Sequence, residues 1–467
     1  MPRFKDPQSK HTFMLDTPIS RLVPRMALPS IAGMLVTSAY NLADTLFVSR
    51  LGTNATGAVG VNGSIDLLIM MAGSLFATGA ASYTSRLLGA RKDQHAREVL
   101  STCYFIALFL GAAVLFLGFA FQDKMLYLLG ANEEILPYSE QYCRYILLAA
   151  PFMATSFVLN QCLRAEGSAI YSMIGMVTGA VLNIALDPIF IFSCGWGVAG
   201  ASAATAISKL VSWCILMIPY WRRQTVLTIQ PSQIRIRWKD IKEVCSMGSA
   251  SFFRNGLGTL AGIILNRIAV TFGTSALAAV SVSNRITMFM TSACLGFGQG
   301  FQPVAGYSWG ARRFDRVRES FRFSEITCVA GISLVAALVA IFARPLLLLF
   351  TRDDAELVRL GVFSLRMQCL AMPFHGFAII VNMLCAGIGR PVPTLLLGMS
   401  RQGICFFPIL PGMVRLFGVW GVASVQGAAD MLVMVLAVPI AIRVMRDVRR
   451  REAEQEQTMT GVSAVPG

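Results

Sequence analysis

Long apolar blocks limit what this chain can fold into. The sequence has 467 residues, of which 55% are hydrophobic and only 14% are charged. Its apolar residues collect in blocks such as 102–121, 324–343 and 431–442. Blocks of about 20 residues match the thickness of a bilayer core. Because they lack the alternation of barrel strands, they predict membrane-spanning helices.

The blocks divide into twelve predicted spans, which makes the chain an all-α, multi-pass membrane protein. The spans lie near residues 19–45, 57–83, 98–120, 138–161, 168–193, 198–220, 244–270, 276–303, 323–344, 358–386, 392–414 and 419–442.

The two halves of the chain repeat each other. The segments at 52–55, 89–91 and 196–199 recur in the same order at 273–276, 310–312 and 420–423. Short matches in one order at nearly one offset indicate a duplicated scaffold. Each half has six predicted spans, an even number, so both halves have the same orientation. The repeat predicts two six-helix bundles, the N-lobe and the C-lobe, related by a pseudo-two-fold axis along the membrane normal.

The domain boundaries follow from the spans. We predict a cytoplasmic N-terminal segment, the N-lobe with spans 1 to 6, a cytoplasmic linker, the C-lobe with spans 7 to 12, and a disordered cytoplasmic tail. These segments are residues 1–18, 19–220, 221–243, 244–442 and 443–467.

The net charge of +15 comes from basic residues that are sorted by loop. Loops near 86–97, 222–242 and 312–322 are rich in Arg and Lys, whereas the alternate loops near 123–134 and 352–356 carry acids. This is the positive-inside pattern. It predicts cytoplasmic termini in a plasma (inner) membrane protein and argues against a nucleic-acid partner. We expect membrane lipid around a monomer.

Four oxygen-bearing side chains share one depth in the first half. They are Asp44, Asn183, Asp187 and Thr205. Each aspartate lies eight residues before a glycine at which its span ends, and the threonine lies eight residues after the glycine at which the sixth span begins. The asparagine is one helical turn from the second aspartate. At 1.5 Å per residue, each lies roughly 12 Å below the outer surface. Such oxygens suit a cation or a shared proton. The alternative is that each acid is a paired structural group.

The second half has a different polar set. The counterparts of Asp44 and Asp187 are Leu265 and Pro411, so the acid pair is not duplicated. Arg285 and Asp430 lie at similar depth, which predicts a buried ion pair. Three further polar residues lie in predicted spans of this half: Gln299, Gln302 and Arg401. We expect them to form hydrogen bonds between helices.

Other residues of the first half are candidates for a substrate cavity. Asp66, in the second span, lies deeper than the four oxygen groups and is expected to join their site or line the cavity. Met34 and Met173 are candidates for compliant apolar walls, although methionines in spans are more often plain packing.

Several motifs resemble multidrug and toxic compound extrusion (MATE) transporters over residues 15–445. They are YNLAD at 40–44, LNIALDPIF at 182–190, GVAGA at 197–201, SNRI at 283–286, and QPVAGYSWGA at 302–311. The pattern resembles the DinF-like branch, whose cation site is in the N-lobe. The resemblance implies a coupling site at Asp44, Asn183, Asp187 and Thr205, with the Ala201 carbonyl as a further ligand. It also implies that Tyr40 and Asn160 line the cavity.

The resemblance implies an antiporter, not an enzyme, that exports small organic, often cationic compounds in exchange for H⁺ or Na⁺ by alternating access. No cofactor is expected beyond the coupling ion, and no metal beyond Na⁺ at that site. One alternative is a lipid-linked oligosaccharide flippase, whose cavity should be strongly basic; the acids of the first half argue against it. The other is a major facilitator transporter, whose Asp-Arg-x-Gly-Arg motif does not match residues 85–91.

Overall fold

The computed structural model describes residues 7–350 and 354–462. Within these residues the secondary structure is helical and contains no β-strand, which confirms the all-α prediction. The described residues form two compact units. The first comprises 7–13 and 28–252, and the second comprises 14–27, 253–350 and 354–462.

Eight helices precede the connection between the halves. They are α1 (Pro7–Asp16), α2 (Ile19–Ser49), α3 (Thr53–Gly89), α4 (Asp93–Ala120), α5 (Gln122–Leu128), α6 (Leu136–Ala165), α7 (Ala169–Pro188) and α8 (Gly197–Trp221). A π-helix at Ile189–Ser193 continues α7, and a short 3₁₀ helix follows at Pro231–Gln233.

Eight more helices follow. They are α9 (Trp238–Thr271), α10 (Thr274–Gly310), α11 (Phe314–Ile341), α12 (Ala343–Leu348), α13 (Ala355–Ile388), α14 (Pro391–Met399), α15 (Phe406–Phe417) and α16 (Val419–Val462). A second π-helix, Ser400–Ile404, joins α14 to α15.

In the described part of the chain, nine helices are long and apolar enough to cross a membrane. They correspond to nine of the predicted spans. The other three predicted spans also coincide with helices: α9, α10 and the interrupted stretch from α14 to α15. Polar residues such as Arg254 in α9 and Arg285 in α10 lower their hydropathy. That these three helices cross the membrane stays a prediction.

The sequence repeat is also a repeat of helices and of their packing. α3 and α10 each have 37 residues and begin directly after a glycine at positive φ, Gly52 (106°) and Gly273 (110°). A glycine adopts this backbone without the steric cost that a Cβ would impose. α3 packs on α6 as α10 packs on α13, and α6 packs on α8 as α13 packs on α16.

The C-terminal segment differs from the prediction of disorder. α16 extends to Val462, well past the predicted end of the last span. Pairs of opposite charge one turn apart accompany this extension, Arg450 with Glu454 at 2.8 Å and Arg451 with Asp447 at 3.6 Å. Such i,i+4 pairs favour the helical conformation of a polar segment. Residues 463–467 lie outside the described residues.

A buried ion pair holds α1 against the first unit. Lys10 Nζ lies 2.9 Å from Glu166 Oε1, with side chains 4% and 0% exposed. The other carboxylate oxygen accepts hydrogen bonds from the backbone N–H groups of Val226 and Leu227, at 3.1 and 3.3 Å. One carboxylate therefore ties three separate segments together.

We expect Lys10→Met to destabilise the protein markedly. It leaves the Glu166 carboxylate buried without its cation, a change that typically costs about 3–5 kcal/mol. The midpoint of thermal unfolding in detergent should fall by several degrees. The control is Arg450→Met, which removes an exposed pair worth at most about 1 kcal/mol. Equal midpoints for the two variants would contradict this account of Glu166.

Candidate cation site and adjoining cavity

The candidate site is built where α7 and α8 meet. α7 carries Asn183 and Asp187, ends at Pro188 and continues as the π-helix. Gly195 and Gly197, at φ 70° and 56°, form the turn into α8. π-Helical turns inside α-helices are frequent at functional sites.

A close backbone contact holds the two helices together at this turn. A Cβ added to Gly200 would lie 2.6 Å from the Phe190 carbonyl oxygen of the π-helix, which no side chain could tolerate. This approach is what allows side chains of α8 to reach those of α7.

The four predicted oxygen groups converge. The Asn183 amide donates hydrogen bonds to Asp187 Oδ1 at 3.4 Å and to Thr205 Oγ1 at 3.2 Å. The carboxyl group of Asp44, on α2, interacts with that of Asp187. Asp187 is fully buried, and Asn183 is 2% exposed. Three helices thus contribute to one cluster, in which Asp44 is half-buried and the other three residues are buried. This is the oxygen cluster: Asp44, Asn183, Asp187 and Thr205.

The oxygen cluster fits a small cation or a proton. Asp44 Oδ1, Asn183 Oδ1 and Asp187 Oδ2 are buried and have no hydrogen-bond partner among the described residues. Buried acceptors normally have partners, and carboxylate and amide oxygens are ligands of hard cations. Ala201, the further ligand implied by the resemblance, is buried one turn before Thr205 on α8. These residues would hold H⁺ or Na⁺.

A cavity in the first unit adjoins the oxygen cluster, because Asn183 and Thr205 contribute to both. The space between its walls, open solvent included, is about 740 Å³. The lining residues come from α2, α6, α7 and α8: Thr37, Tyr40, Met153, Ser156, Phe157, Asn160, Met176, Gly179, Ala180, Asn183, Thr205, Ser208, Lys209, Ser212 and Leu216.

The predicted cavity residues divide into two groups. Tyr40 and Asn160 line this cavity, whereas Met34, Met173 and Asp66 do not. Met176, one turn after Met173 on α7, lines the cavity together with Met153. The cavity wall thus contains methionines, but not the two that the sequence predicted. The periodicity of an apolar span does not show which of its methionines face the cavity.

Sequence reasoning missed Lys209. It lies on α8 one turn after Thr205, and its ammonium group is 5.0 Å from the centre of the Tyr40 ring. It also interacts electrostatically with Asp66 and Asp44. Its position four residues after Thr205 could have indicated that it faces the same cavity, since residues i and i+4 share a helix face.

The ion pair predicted between Arg285 and Asp430 is wrong. Asp430 instead binds Arg401 through two hydrogen bonds, from Nε to Oδ1 at 2.7 Å and from Nη2 to Oδ2 at 3.1 Å. Arg401 lies in the π-helix between α14 and α15. The prediction used depth alone, and depth does not tell which side of its helix a residue faces.

The fold and the buried oxygen cluster define the class of protein, a multi-pass helical membrane transporter. The MatE family model matches residues 29–189 and 250–410, one match in each half of the chain. The chain therefore belongs to the MatE family. This confirms the family predicted from the motifs, and with it that the chain is a transporter and not an enzyme.

Curated relatives and solved structures agree with the family. The multidrug export protein MepA of Staphylococcus aureus is 27% identical over 434 residues, covering 92% of this chain and 95% of that protein. MepA of Staphylococcus saprophyticus is 27% identical over 422 residues, with coverages of 90% and 93%. Among solved structures, MATE in complex with MaL6 has a TM-score of 0.89 at 25% identity, covering 94% of this chain and 99% of that chain.

An outward-facing multidrug resistance MATE family transporter of the MOP superfamily is similarly close in structure. It has a TM-score of 0.88 at 25% identity, covering 94% of this chain and 98% of that chain.

The repeat supplies a matched test of Asn160. Asn160 donates a hydrogen bond to the Ser172 carbonyl, and Asn382 donates the equivalent bond to the Thr394 carbonyl in the second unit. Asn160 also lines the cavity. We expect Asn160→Ala to change the rank order of exported compounds and Asn382→Ala to preserve it, at equal protein levels. Unchanged ranking in both variants would exclude Asn160 from substrate recognition.

Proposed function

We propose that this transporter exports organic compounds in exchange for H⁺ or Na⁺, with the coupling ion bound at the oxygen cluster. The observation that carries the proposal is the convergence of Asp44 and Asp187, whose carboxyl groups interact, together with three buried oxygens of the cluster that have no hydrogen-bond partner among the described residues. Two carboxylates in contact in a low-dielectric site do not both stay charged unless a proton or a cation lies with them. The MepA relatives are multidrug export proteins.

The described residues of the second unit offer no comparable buried acid pair. Leu265 occupies the position that corresponds to Asp44, and the Asp430 carboxylate is already paired with Arg401. This asymmetry supports the DinF-like branch, in which coupling depends on the N-lobe alone. The proposal includes a monomer in the plasma (inner) membrane with both termini cytoplasmic, in keeping with the sorted basic loops.

Coupling follows from differential binding. An ion that binds one conformation of the cluster better than the other shifts the population between an outward-open and an inward-open state. An inward ion gradient then loads the cluster from outside and unloads it inside. Because Asn183 and Thr205 belong to both cluster and cavity, occupancy of one changes the environment of the other.

Everted membrane vesicles test the proposal. Vesicles from cells that produce the protein should accumulate a fluorescent dye when a pH gradient or a Na⁺ gradient is imposed with the ion concentrated inside, because the cytoplasmic face now points outward. Collapsing the effective gradient should release the dye. Accumulation that depends on neither ion would contradict the proposal, and comparison of the two gradients identifies the ion.

A further inference from the structure

The connection between the two halves carries exposed apolar side chains beside exposed basic ones. Ile236 is 74% exposed and Trp238 is 77% exposed. Arg235 and Lys239, which flank them in sequence, are exposed as well. We call residues 234–239 the linker patch. Contiguous apolar surface with a polar rim marks a surface that binds a protein or a membrane.

Contacts with α4 fix the depth of one end of the linker patch. The Arg235 backbone N–H donates a hydrogen bond to Thr102 Oγ1 at 3.1 Å, and the Thr102 hydroxyl lies 3.3 Å from the Arg235 carbonyl oxygen. The Arg237 guanidinium pairs with Glu98 at 2.9 Å. The third predicted span begins at Glu98, and Thr102 lies roughly 6 Å further into it. This end of the linker patch therefore lies beside the end of an apolar span.

The start of α9 fixes the depth of the other end. Trp238 is the first residue of α9, which leads into the seventh predicted span near 244–270. It lies roughly 9 Å before that span along the helix. The linker patch thus extends from just inside the apolar core to just outside it and crosses the headgroup layer, which is roughly 5–8 Å thick on each side of a bilayer. Tryptophan is enriched at this level of membrane proteins because its ring has an apolar body and a polar N–H group.

The charge that the linker patch presents is positive, because the acids around it are already paired. Three acids lie close to it, each with a basic partner at 2.7–2.9 Å: Glu98 with Arg237, Asp240 with His95, and Glu243 with Arg86. In the described part of the chain, Arg235 and Lys239 form no ion pair at 4.0 Å or less. Both remain available to an anion from outside the protein.

We propose that the linker patch binds anionic phospholipids such as phosphatidylglycerol. Arg235 and Lys239 bind the phosphate headgroups, while Ile236 and Trp238 lie among the upper parts of the acyl chains. At the depth of the headgroups, lipid surrounds this surface and a soluble protein does not reach it. An anionic membrane surface attracts each nearby Lys or Arg by a factor of roughly five, which selects anionic over zwitterionic lipid.

The bound lipid acts on the segment that joins the two units. α9 begins within the linker patch, in the first unit, and continues into the second unit. Lipid held at Trp238 therefore fixes the start of this helix in the membrane interface. The inference does not depend on which ion or compound the protein transports.

The experiment measures the fluorescence of Trp238 in liposomes that contain the purified, full-length protein. All liposomes contain equal amounts of phosphatidylglycerol and phosphatidylcholine, and only the lipid that carries bromine, a contact quencher of tryptophan, differs. The signal of Trp238 is the difference between the wild type and Trp238→Phe. Bromine on the upper acyl chain should quench this signal roughly twofold or more strongly on phosphatidylglycerol than on phosphatidylcholine, given the attraction of each basic residue.

Charge variants test the cause of the preference. Arg235→Gln, Lys239→Gln, measured with and without Trp238→Phe, should lower the ratio of quenching by the two lipids to about one. The matched control, Arg446→Gln, Arg449→Gln, removes two exposed basic residues of α16 and should keep the ratio of the wild type. Ile236→Trp adds a tryptophan within the linker patch. It gives a second difference signal that does not require Trp238→Phe to accumulate.

Two results would overturn the inference. Quenching of the difference signals by aqueous iodide and by neither brominated lipid would show that the linker patch faces water and is free for a soluble partner. Equal quenching by the two brominated lipids in the wild type would show contact with lipid that does not select anionic headgroups. In both cases the proposed function stands, because gradient-driven export is measured separately.

Discussion

Asp44→Asn is expected to abolish gradient-driven export while leaving the protein folded in the membrane. The substitution keeps the volume of the side chain and removes its charge. Without that charge, Asp187 loses the neighbouring carboxyl with which, in the proposed mechanism, it shares the coupling ion. The site can then bind neither a proton nor Na⁺ in the way that the gradient requires, so the transport rate should fall to that of vesicles without the protein.

The folded state should tolerate this change because Asp44 is not held by a structural ion pair. Its buried Oδ1 atom has no hydrogen-bond partner in the described part of the chain. Asp187→Asn should have nearly the same effect on export. Wild-type export by Asp44→Asn under the same gradient would contradict the coupling site and would leave the acids as structural polar groups.

Asp66→Asn provides the matched control. Asp66 lies in the neighbouring helix α3 and acts electrostatically on Asp44 and Lys209, but it has no part in the hydrogen bonds of the oxygen cluster. We expect it to alter the rate of export without abolishing the dependence on the gradient. Measuring both variants in the same vesicle preparation separates loss of coupling from a general change of charge.

Asp430→Leu is expected to destabilise the protein more than any substitution at the oxygen cluster. The carboxylate is fully buried and holds Arg401, whose side chain is 18% exposed, through two hydrogen bonds. Removing the acid leaves the guanidinium without its counter-ion. Breaking such a buried pair typically costs about 3–5 kcal/mol. This is a large part of the free energy of unfolding of a typical protein, about 5–15 kcal/mol.

The double variant Arg401→Met, Asp430→Leu tests the cause. Replacing both partners with apolar residues removes the unpaired charge, so the unfolding midpoint in detergent should recover most of the loss. Asp430→Leu is therefore expected to unfold at a much lower temperature than either the wild type or the double variant. Equal midpoints for the single and double variants would show that the pair is not what stabilises this part of the second unit.

The sequence was informative where the helices are regular. The spans follow from apolar blocks of helical length, and the common depth of Asp44, Asn183, Asp187 and Thr205 follows from counting residues along those helices. The counts worked because Gly52, Gly195 and Gly197 mark real helix ends at positive φ. Each end gives a fixed origin from which a rise of about 1.5 Å per residue sets depth.

The sequence was uninformative where rotation about a helix axis matters. Arg285 and Arg401 are both arginines in spans of the second half, and Arg401 is the partner of Asp430. The π-helix that contains Arg401 adds a residue to the turn and changes the direction of the side chains after it. For the same reason, the sequence predicted Met173 in the cavity wall, where the structure has Met176.

The most direct test of the central claim reverses the coupling. Purified protein is placed in liposomes with no ion gradient, and a dye gradient is imposed instead. Because the coupling of two ligands is reciprocal, dye moving down its gradient should drive H⁺ or Na⁺ in the opposite direction, and an ion-sensitive indicator should record that movement. We expect the ion flux in the wild type and its absence in Asp44→Asn; dye movement without any ion flux in the wild type would contradict cation-coupled antiport.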